Sequence, residues 1–153
     1  MIEINISGVG ELTQLLKRAG VNAPGLANRI TTEVAEATEQ GAKERVQSWA
    51  ATGRTYRRYN PFRIHQASAP GEPPATDLGN LLSLIGIESL RVNQYASRHV
   101  VYSDAVYARI LEEGGFAGNG SYIAPRPYLG PAFDEALDEV ETEFGIYVDG
   151  LFR

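Results

Sequence analysis

The stretch Tyr107–Phe133 reads YARILEEGGFAGNGSYIAPRPYLGPAF and decides most of what can be expected of the fold. It predicts a short helical segment that ends at paired glycines, then a glycine-rich loop, then a proline-rich connection to a long C-terminal helix. Pro125, Pro127 and Pro131 each fix φ near −65° and lack an amide donor, so the chain before Pro131 should be extended and a helix should begin there. Such a stiff segment is suited to presenting a surface and does not by itself catalyse a reaction.

Length and composition limit the class of protein. A chain of 153 residues favours a single domain spanning 1–153, with 43% hydrophobic and 22% charged residues as in ordinary globular proteins. The absence of cysteine excludes disulfides and thiolate metal sites. The first residues, MIEINISG, lack the features of a secretory signal, and no apolar run approaches the roughly 20 residues that cross a bilayer. We therefore expect a soluble protein that is assembled inside the cell and has no membrane partner.

Charge is distributed unevenly around a net value of −5. Residues 45–71 contain five arginines and no acid, whereas residues 134–153 contain seven acids and one base. The acids are explained either as the solvated face of one helix or as one of two opposite charge blocks that meet across copies of the chain. Complementarity of the second kind would mainly direct partner choice and orientation.

Periodicity predicts the elements of the N-terminal half. Ile2, Ile4 and Ile6 alternate with polar residues, as in a half-buried strand. Ser7 is expected to cap a short helix closed by Gly20. A longer helix, roughly 40 Å in length, should run from Asn22 to a stop at Gly53. Its expected apolar stripe is Leu26, Ile30, Val34, Ala37, Gly41 or Ala42, Val46 and Trp49.

The C-terminal half adds further helices and a hairpin. Asp77 is expected to cap a short helix over 78–84, and strands are expected over 87–93 and 98–103. Tyr107, Ile110 and Leu111 form one face of a helical turn stopped by Gly114 and Gly115. After Pro131, the apolar residues of the last helix recur at helical spacing: Phe133, Leu137, Val140, Phe144, Tyr147, Val148 and Leu151.

Residues suited to catalysis do not form a coherent set. Glu112 and Glu113 are adjacent on a helix and do not face one another, so we expect a solvated helix end. His65 and His99 lack the spacing of metal ligands, and we expect His65 in a mobile basic loop and His99 on an exposed strand face. The glycine cluster at 114–120 lacks the lysine and serine or threonine of a phosphate-binding loop and predicts a flexible loop or hairpin tip. We therefore expect no enzyme activity, cofactor or metal.

Residues 52–76 are predicted to form an irregular basic loop. Arg54, Arg57, Arg58 and Arg63 alternate there with Tyr56 and Tyr59. Arginines interleaved with aromatic rings occur in single-strand nucleic-acid binders. The chain as a whole is acidic, however, whereas nucleic-acid-binding domains are usually basic. Three interpretations stay open: a protein interface formed by these six residues, a nucleic-acid contact, or a solvated loop.

Three blocks stand in a fixed order: HQASAPGEPPATDLGNLLSLI (65–85), VYARILEEGG (106–115) and APRPYLGPAFDEAL (124–137). In this order they resemble the small tail-completion or neck proteins of long-tailed bacteriophages, a family of tail components at the head–tail joint. The matching residues are Asp77, Gly79 and Leu81 in the first block, Tyr107, Ala108, Glu112 and Gly114 in the second, and Arg126, Pro127, Pro131 and Ala132 in the third, with Tyr128 in the aromatic place. Leu78 replaces a threonine, and Gly130 stands where a basic residue is common.

The resemblance implies an α+β fold, with a long helix in the N-terminal half and a C-terminal helix packed on a small antiparallel β-sheet. It also implies a non-catalytic virion protein at the head–tail joint, assembled in the host cytoplasm. Its partners would be other neck and tail proteins (a tail terminator, stopper or adaptor) and further copies of itself in a ring. A hexamer is expected from the symmetry of tails, with transient contact to genomic DNA.

Two hypotheses about residues follow. Arg54, Arg57 and Arg58 would engage acids of a neighbouring subunit or of an adjoining neck protein, because rings use two unlike patches on each subunit. Arg126 would have an internal role, its guanidinium bonding a carboxylate or loop carbonyls and so fixing the proline segment. The alternative function is a nucleic-acid-binding accessory protein that acts through residues 54–65.

Overall fold

Helices and antiparallel strands alternate along the chain in the computed structural model, which describes residues 2–6, 23–59, 62–93 and 96–151. The expected α+β class is confirmed, because a long helix and a C-terminal helix pack on a small antiparallel sheet. Within these ranges the elements are β1 (Ile2–Ile6), α1 (Ala23–Ser48), β2 (Thr55–Tyr59), β3 (Phe62–Gln66), α2 (Asn80–Ser83), β4 (Ile85–Asn93), β5 (Ala96–Ser103), α3 (Ala108–Glu113), β6 (Gly115–Phe116), β7 (Tyr122–Ile123) and α4 (Leu129–Leu151).

The main sheet has the strand order β1-β5-β4. Ile4 of β1 pairs with Val101 of β5, which pairs on its other side with Ile87 of β4. Val101 is fully buried because β5 is the central strand and one of its faces packs against α1. The three predicted strands of this sheet are therefore confirmed, with β4 and β5 each beginning slightly earlier than expected.

Helices α1 and α4 pack against each other and form the second layer. Val34, Ala42 and Val46 of the predicted α1 stripe are buried, and the core between the layers also contains Leu81 and Leu129. Thr31 and Thr38 of α1 are buried as well, which the apolar pattern did not indicate. Each hydroxyl donates to a carbonyl one turn earlier in α1, so its hydrogen-bonding need is met inside the helix.

Helix ends differ from the sequence prediction in three places. Helix α1 ends at Ser48, so Gly53 is not its stop and Trp49 lies beyond the helix with half of its surface exposed. Helix α2 has Gly79, at φ 77°, as its N-cap and no side-chain cap, so the expected capping role of Asp77 is wrong. Helix α4 begins at Leu129, slightly before Pro131.

The helix predicted between Ser7 and Gly20 lies outside the described residues. Within those residues, no helix has both the length and the apolar character needed to cross a bilayer.

Helices α1 and α4 are in close contact at Gly41. A Cβ placed on Gly41 would lie 3.3 Å from the Cβ of Ala132. We expect Gly41→Leu to destabilise the fold by about 1–3 kcal/mol, because a larger side chain must push the helices apart. Gln40→Leu, at the neighbouring exposed position, is the matched control and should leave stability nearly unchanged. Urea denaturation measures both, and equal midpoints would contradict this account of the helix contact.

Candidate interaction site

Strands β2 and β3 form a hairpin in the middle of the segment predicted to be an irregular loop. Thr55 pairs with Gln66 at its base and Tyr59 with Phe62 at its far end. The prediction of an irregular loop over 52–76 is therefore wrong for 55–59 and 62–66. Phe62 and Ile64 alternate with Arg63 and His65, a pattern typical of a strand. The prolines and arginines around them favoured a loop in the prediction.

The hairpin has two chemically different faces, because side chains alternate along each strand and directly paired residues point to the same side. We call the two faces the inner face and the outer face. The inner face carries Tyr56, Arg58, Arg63 and His65; the outer face carries Thr55, Arg57, Tyr59, Phe62, Ile64 and Gln66.

Asp77 attaches the inner face to the rest of the protein. Its carboxylate accepts two hydrogen bonds from Arg63, from Nε at 2.7 Å and from Nη2 at 2.9 Å. Nη2 of Arg58 lies 3.3 Å and Nδ1 of His65 3.8 Å from the same carboxylate. The hydrogen bond from Arg63, with the charges of Arg63, His65 and Arg58, lowers the pKa of Asp77 below its usual value. A bidentate pair of this kind fixes orientation as well as position.

Glu72 fastens the base of the hairpin. Its carboxylate accepts hydrogen bonds from the amides of Thr52 at 3.0 Å and Ala69 at 2.7 Å, and from the Thr52 hydroxyl. These bonds lower the pKa of Glu72. Beside them the amide of Gly53 donates to the carbonyl of Ala67 at 2.9 Å, and a Cβ on Gly53 would lie only 2.5 Å from that oxygen. Gly53 is thus required for this close approach of two backbones.

Arg126 connects three parts of the chain, as its hypothesised internal role requires. Its Nε and Nη2 donate to the carbonyl of Ser68 at 3.4 and 3.3 Å, and Nη1 donates to the carbonyl of Ala124 at 3.2 Å. Its amide donates to the carbonyl of Leu111 at 2.6 Å. The proline segment, residues 124–131, is therefore bonded both to α3 and to the stretch that follows β3.

Glu112 caps helix α4 from a distant part of the sequence. Its carboxylate accepts hydrogen bonds from the amides of Tyr128 at 3.0 Å, Leu129 at 3.1 Å and Gly130 at 2.7 Å. The first amides of a helix have no partner inside it, and a carboxylate there also lies at the positive end of the helix dipole. The expectation that Glu112 is a solvated helix end is therefore wrong, whereas Glu113 is exposed and paired with Arg109.

The aromatic residue of the third block lies in the core. Tyr128 is fully buried, and this burial raises its pKa to about 12. Gly114, at φ 75°, lets the chain pass next to Pro125, whose Cδ would lie 2.9 Å from a Cβ at Gly114. The glycine-rich stretch after it forms the short hairpin β6–β7, with Phe116 and Tyr122 in edge contact at 5.4 Å. The alternative of a hairpin tip is confirmed for the glycine cluster.

A cleft of about 540 Å³ lies between the inner face of the hairpin and the body of the protein. Residues of all three blocks line it, including Asp77, Gly79, Tyr107 and Arg126. Its charged groups are bonded to each other or to backbone carbonyls: Asp77 to the hairpin arginines and Arg126 to Ser68 and Ala124. They hold the hairpin and the proline segment in place.

The two histidines are far apart and have different environments. His65 lies on the inner face of the hairpin near Asp77. His99 is buried, with its ring nitrogens 3.3 Å from the Thr32 hydroxyl and 2.9 Å from the Ser89 hydroxyl, so the expected exposed position is wrong. Among the residues that the structure describes, no three carboxylate or imidazole side chains are grouped as metal ligands would be.

The other predicted interface residues are exposed on the hairpin. The guanidinium of Arg54 lies 5.5 Å from the centre of the Tyr56 ring, and the rings of Tyr59 and Phe62 are 6.1 Å apart. Phe62 and Ile64 belong to the same surface and were not predicted. Of the four arginines in the prediction, Arg58 and Arg63 bind Asp77 within the chain, which leaves Arg54 and Arg57 as the exposed cations away from that anchor.

Comparisons of the chain with protein-family models, with curated proteins and with solved structures found no match.

The cap on α4 can be tested by removing the Glu112 carboxylate. We expect Glu112→Ala to destabilise the fold by about 1–2 kcal/mol, the usual size of a lost helix cap, because three amides lose their acceptor. Glu113→Ala is the matched control, since an exposed ion pair such as Glu113–Arg109 contributes less than about 1 kcal/mol. Chemical denaturation of both variants measures the difference, and a loss at position 113 as large as at 112 would contradict the capping role.

The Asp77 anchor predicts a pH dependence. Because the folded-state pKa of Asp77 is lowered, its stabilising effect is complete above the ordinary value of 3.8 and is lost as the pH falls through the folded-state value. The melting temperature of Asp77→Asn should therefore lie below that of the wild type at pH 7, and the gap should narrow in strong acid. Asp104→Asn, at an exposed position, should follow the wild type throughout. A gap for Asp77→Asn that stays constant with pH would disprove the assignment.

Proposed function

We propose that this chain is a virion structural protein at the head–tail interface of a long-tailed bacteriophage. In this role it completes or joins the tail as one subunit of a ring-like assembly between the capsid portal and the tail. It acts through protein contacts, with neck and tail proteins such as a terminator, stopper or adaptor as partners.

The observation that carries the proposal is the spatial arrangement of the three sequence blocks. Asp77 holds the hairpin, Glu112 caps α4, and Arg126 joins the proline segment to both neighbouring parts of the chain. The three blocks that carry the family resemblance therefore act together in the structure. Their contacts hold an exposed hairpin against the body of the protein. This supports a docking role for the protein.

The surface of the hairpin supports protein partners in particular. Tyr59, Phe62 and Ile64 are each at least 65% exposed. Contiguous exposed apolar surface marks interaction sites in soluble proteins, and aromatic residues and arginine are enriched at interfaces.

The second candidate is a nucleic-acid-binding accessory protein that uses residues 54–65. Exposed Arg57 beside Tyr59 and Phe62 favours it, since single strands stack on aromatic rings in basic grooves. Against it, Asp77 neutralises part of the charge of Arg58 and Arg63, and the whole chain carries a net charge of −5. Protein contact is the better supported of the two, and transient contact with genomic DNA is compatible with it.

Deletion of the gene from the phage that encodes the chain tests the proposal. We expect DNA-filled heads and complete tails that are not joined, seen by negative-stain electron microscopy, because the ring between them would be missing. Supplying the wild-type chain from a plasmid should restore joined particles. Antibody labelling of those particles should mark the head–tail joint.

Normal particles after deletion would overturn the proposal. The nucleic-acid alternative would instead give DNA binding by the purified protein that falls steeply with salt concentration. A neck component should bind DNA weakly under the same conditions.

A further inference from the structure

The outer face of the hairpin is a sheet surface that nothing covers in the described part of the chain. Tyr59 is 77%, Phe62 68% and Ile64 65% exposed, and Arg57 beside them is exposed as well. A two-stranded hairpin is only marginally stable in water unless it packs against something else. The inner face satisfies this need through Asp77, whereas the outer face leaves a large apolar area in solvent.

A groove of about 340 Å³ runs between helices α1 and α4 on the same molecule. Its floor consists of small residues, and its rim carries acids and one amide. The floor residues are Ala37, Gly41, Ala132 and Ala136, and the rim residues are Gln40, Glu44, Glu135 and Glu139. The rim residues are exposed, so the groove is open to a partner.

From these two surfaces we infer that the outer face of the hairpin of one subunit docks into the α1–α4 groove of a second copy of this chain. The small floor residues leave room for the rings of Tyr59 and Phe62. Glu135 of the rim is paired with Arg45 within the chain, so the rim acids Glu44 and Glu139 supply the counter-charge for Arg57. The outer face of the hairpin and the rim of the groove are both exposed on one chain, so they do not satisfy each other within it.

The distribution of charge favours the hairpin–groove contact over a contact between the hairpins of two copies. Chains with a net charge of −5 repel one another, so an attractive contact needs a local match of opposite charge. Residues 54–66 contain no acid, so two hairpins packed face to face would bring arginines together without a counter-charge. The acidic rim provides that counter-charge.

This contact joins two different surfaces, so it is heterologous. Every subunit offers one hairpin and one groove, and such contacts close into a ring when the rotation between neighbours allows it. The inference deepens the proposed function, because it names the surfaces that would build the ring. It can nevertheless be tested on the purified protein alone.

Disulfide trapping tests the contact directly, since the chain contains no cysteine of its own. Ile64→Cys on the outer face and Gln40→Cys on the groove rim should form a disulfide-linked dimer when the two single variants are mixed under mild oxidation. A chain carrying both substitutions should give covalent oligomers larger than a dimer. Non-reducing gel electrophoresis shows both products.

A control pair of cysteine variants measures the level of disulfide formation by random collision. Glu88→Cys, at an exposed position on β4, should link to Ile64→Cys only at the low level of random collision. The inference is overturned if the Gln40 mixture gives no more product than the Glu88 mixture. It is also overturned if Ile64→Cys alone dimerises as efficiently, because that result would mean two hairpins packed face to face.

A matched pair of aromatic variants measures the energetic role of the outer face. Phe62 is 68% and Phe116 72% exposed, on separate hairpins. Phe62→Ser should weaken self-association at least about tenfold, which corresponds to about 1.4 kcal/mol, whereas Phe116→Ser should leave it unchanged. Sedimentation equilibrium gives the dissociation constants, and circular dichroism verifies that both variants are folded.

A wild-type protein that stays monomeric at every accessible concentration overturns the inference, and so does equal weakening by the two substitutions. These outcomes are separate from those of the gene deletion. Unjoined heads and tails together with a monomeric protein would leave the proposed function standing and remove only this contact. Normally joined particles after gene deletion, together with a trapped hairpin–groove contact, would remove the proposed function and leave this contact standing.

Discussion

The carboxylate of Glu112 accepts hydrogen bonds from the amides of Tyr128, Leu129 and Gly130 at the N-terminal end of α4, and much of the structure depends on that contact. It fixes where α4 begins, and α4 in turn packs on α1 and contacts β1 at the edge of the main sheet. Because Glu112 lies in the last turn of α3, the same contact sets the position of the proline segment that lies between the two helices. Gly130 leaves room for it, since a Cβ there would lie 3.1 Å from the carboxylate oxygen. One carboxylate thus holds three elements in a fixed relation.

A second carboxylate, that of Asp77, determines the behaviour of the hairpin. It draws Arg58, Arg63 and His65 to the inner face, which leaves the tyrosine, phenylalanine and isoleucine side chains of the outer face in solvent. The polar face of the hairpin is therefore the one held against the body, and the apolar face is the one presented outward. This reverses the usual order of a soluble protein, in which the apolar face is buried, and such a reversal is typical of surfaces that have a partner.

Prediction from sequence succeeded where one local pattern decides the outcome. The alternating isoleucines of β1, the apolar stripe of α1 and the periodicity after Pro131 each reflect a repeat that the backbone geometry imposes. It failed where a side chain acts on a distant segment. Asp77 precedes a helix and has the residue type of a cap, yet its carboxylate instead accepts two charge-assisted hydrogen bonds from Arg63 of β3. His99 was predicted to lie on the exposed face of its strand, yet it is buried beside Thr32 of α1.

The sequence by itself therefore determined the three strands of the main sheet, the two long helices with the α+β class they define, and the stiffness of the proline segment, because these follow from φ restrictions and from the period of apolar residues. Only the tertiary structure decided which carboxylate caps α4, which arginines stay exposed and which face of the hairpin meets solvent. These outcomes depend on pairings between residues far apart in the chain, such as Glu112 with Gly130 and Arg63 with Asp77. The sequence shows which charged side chains and backbone amides need a hydrogen-bonding partner. Only the three-dimensional packing determines which partner comes within hydrogen-bonding distance.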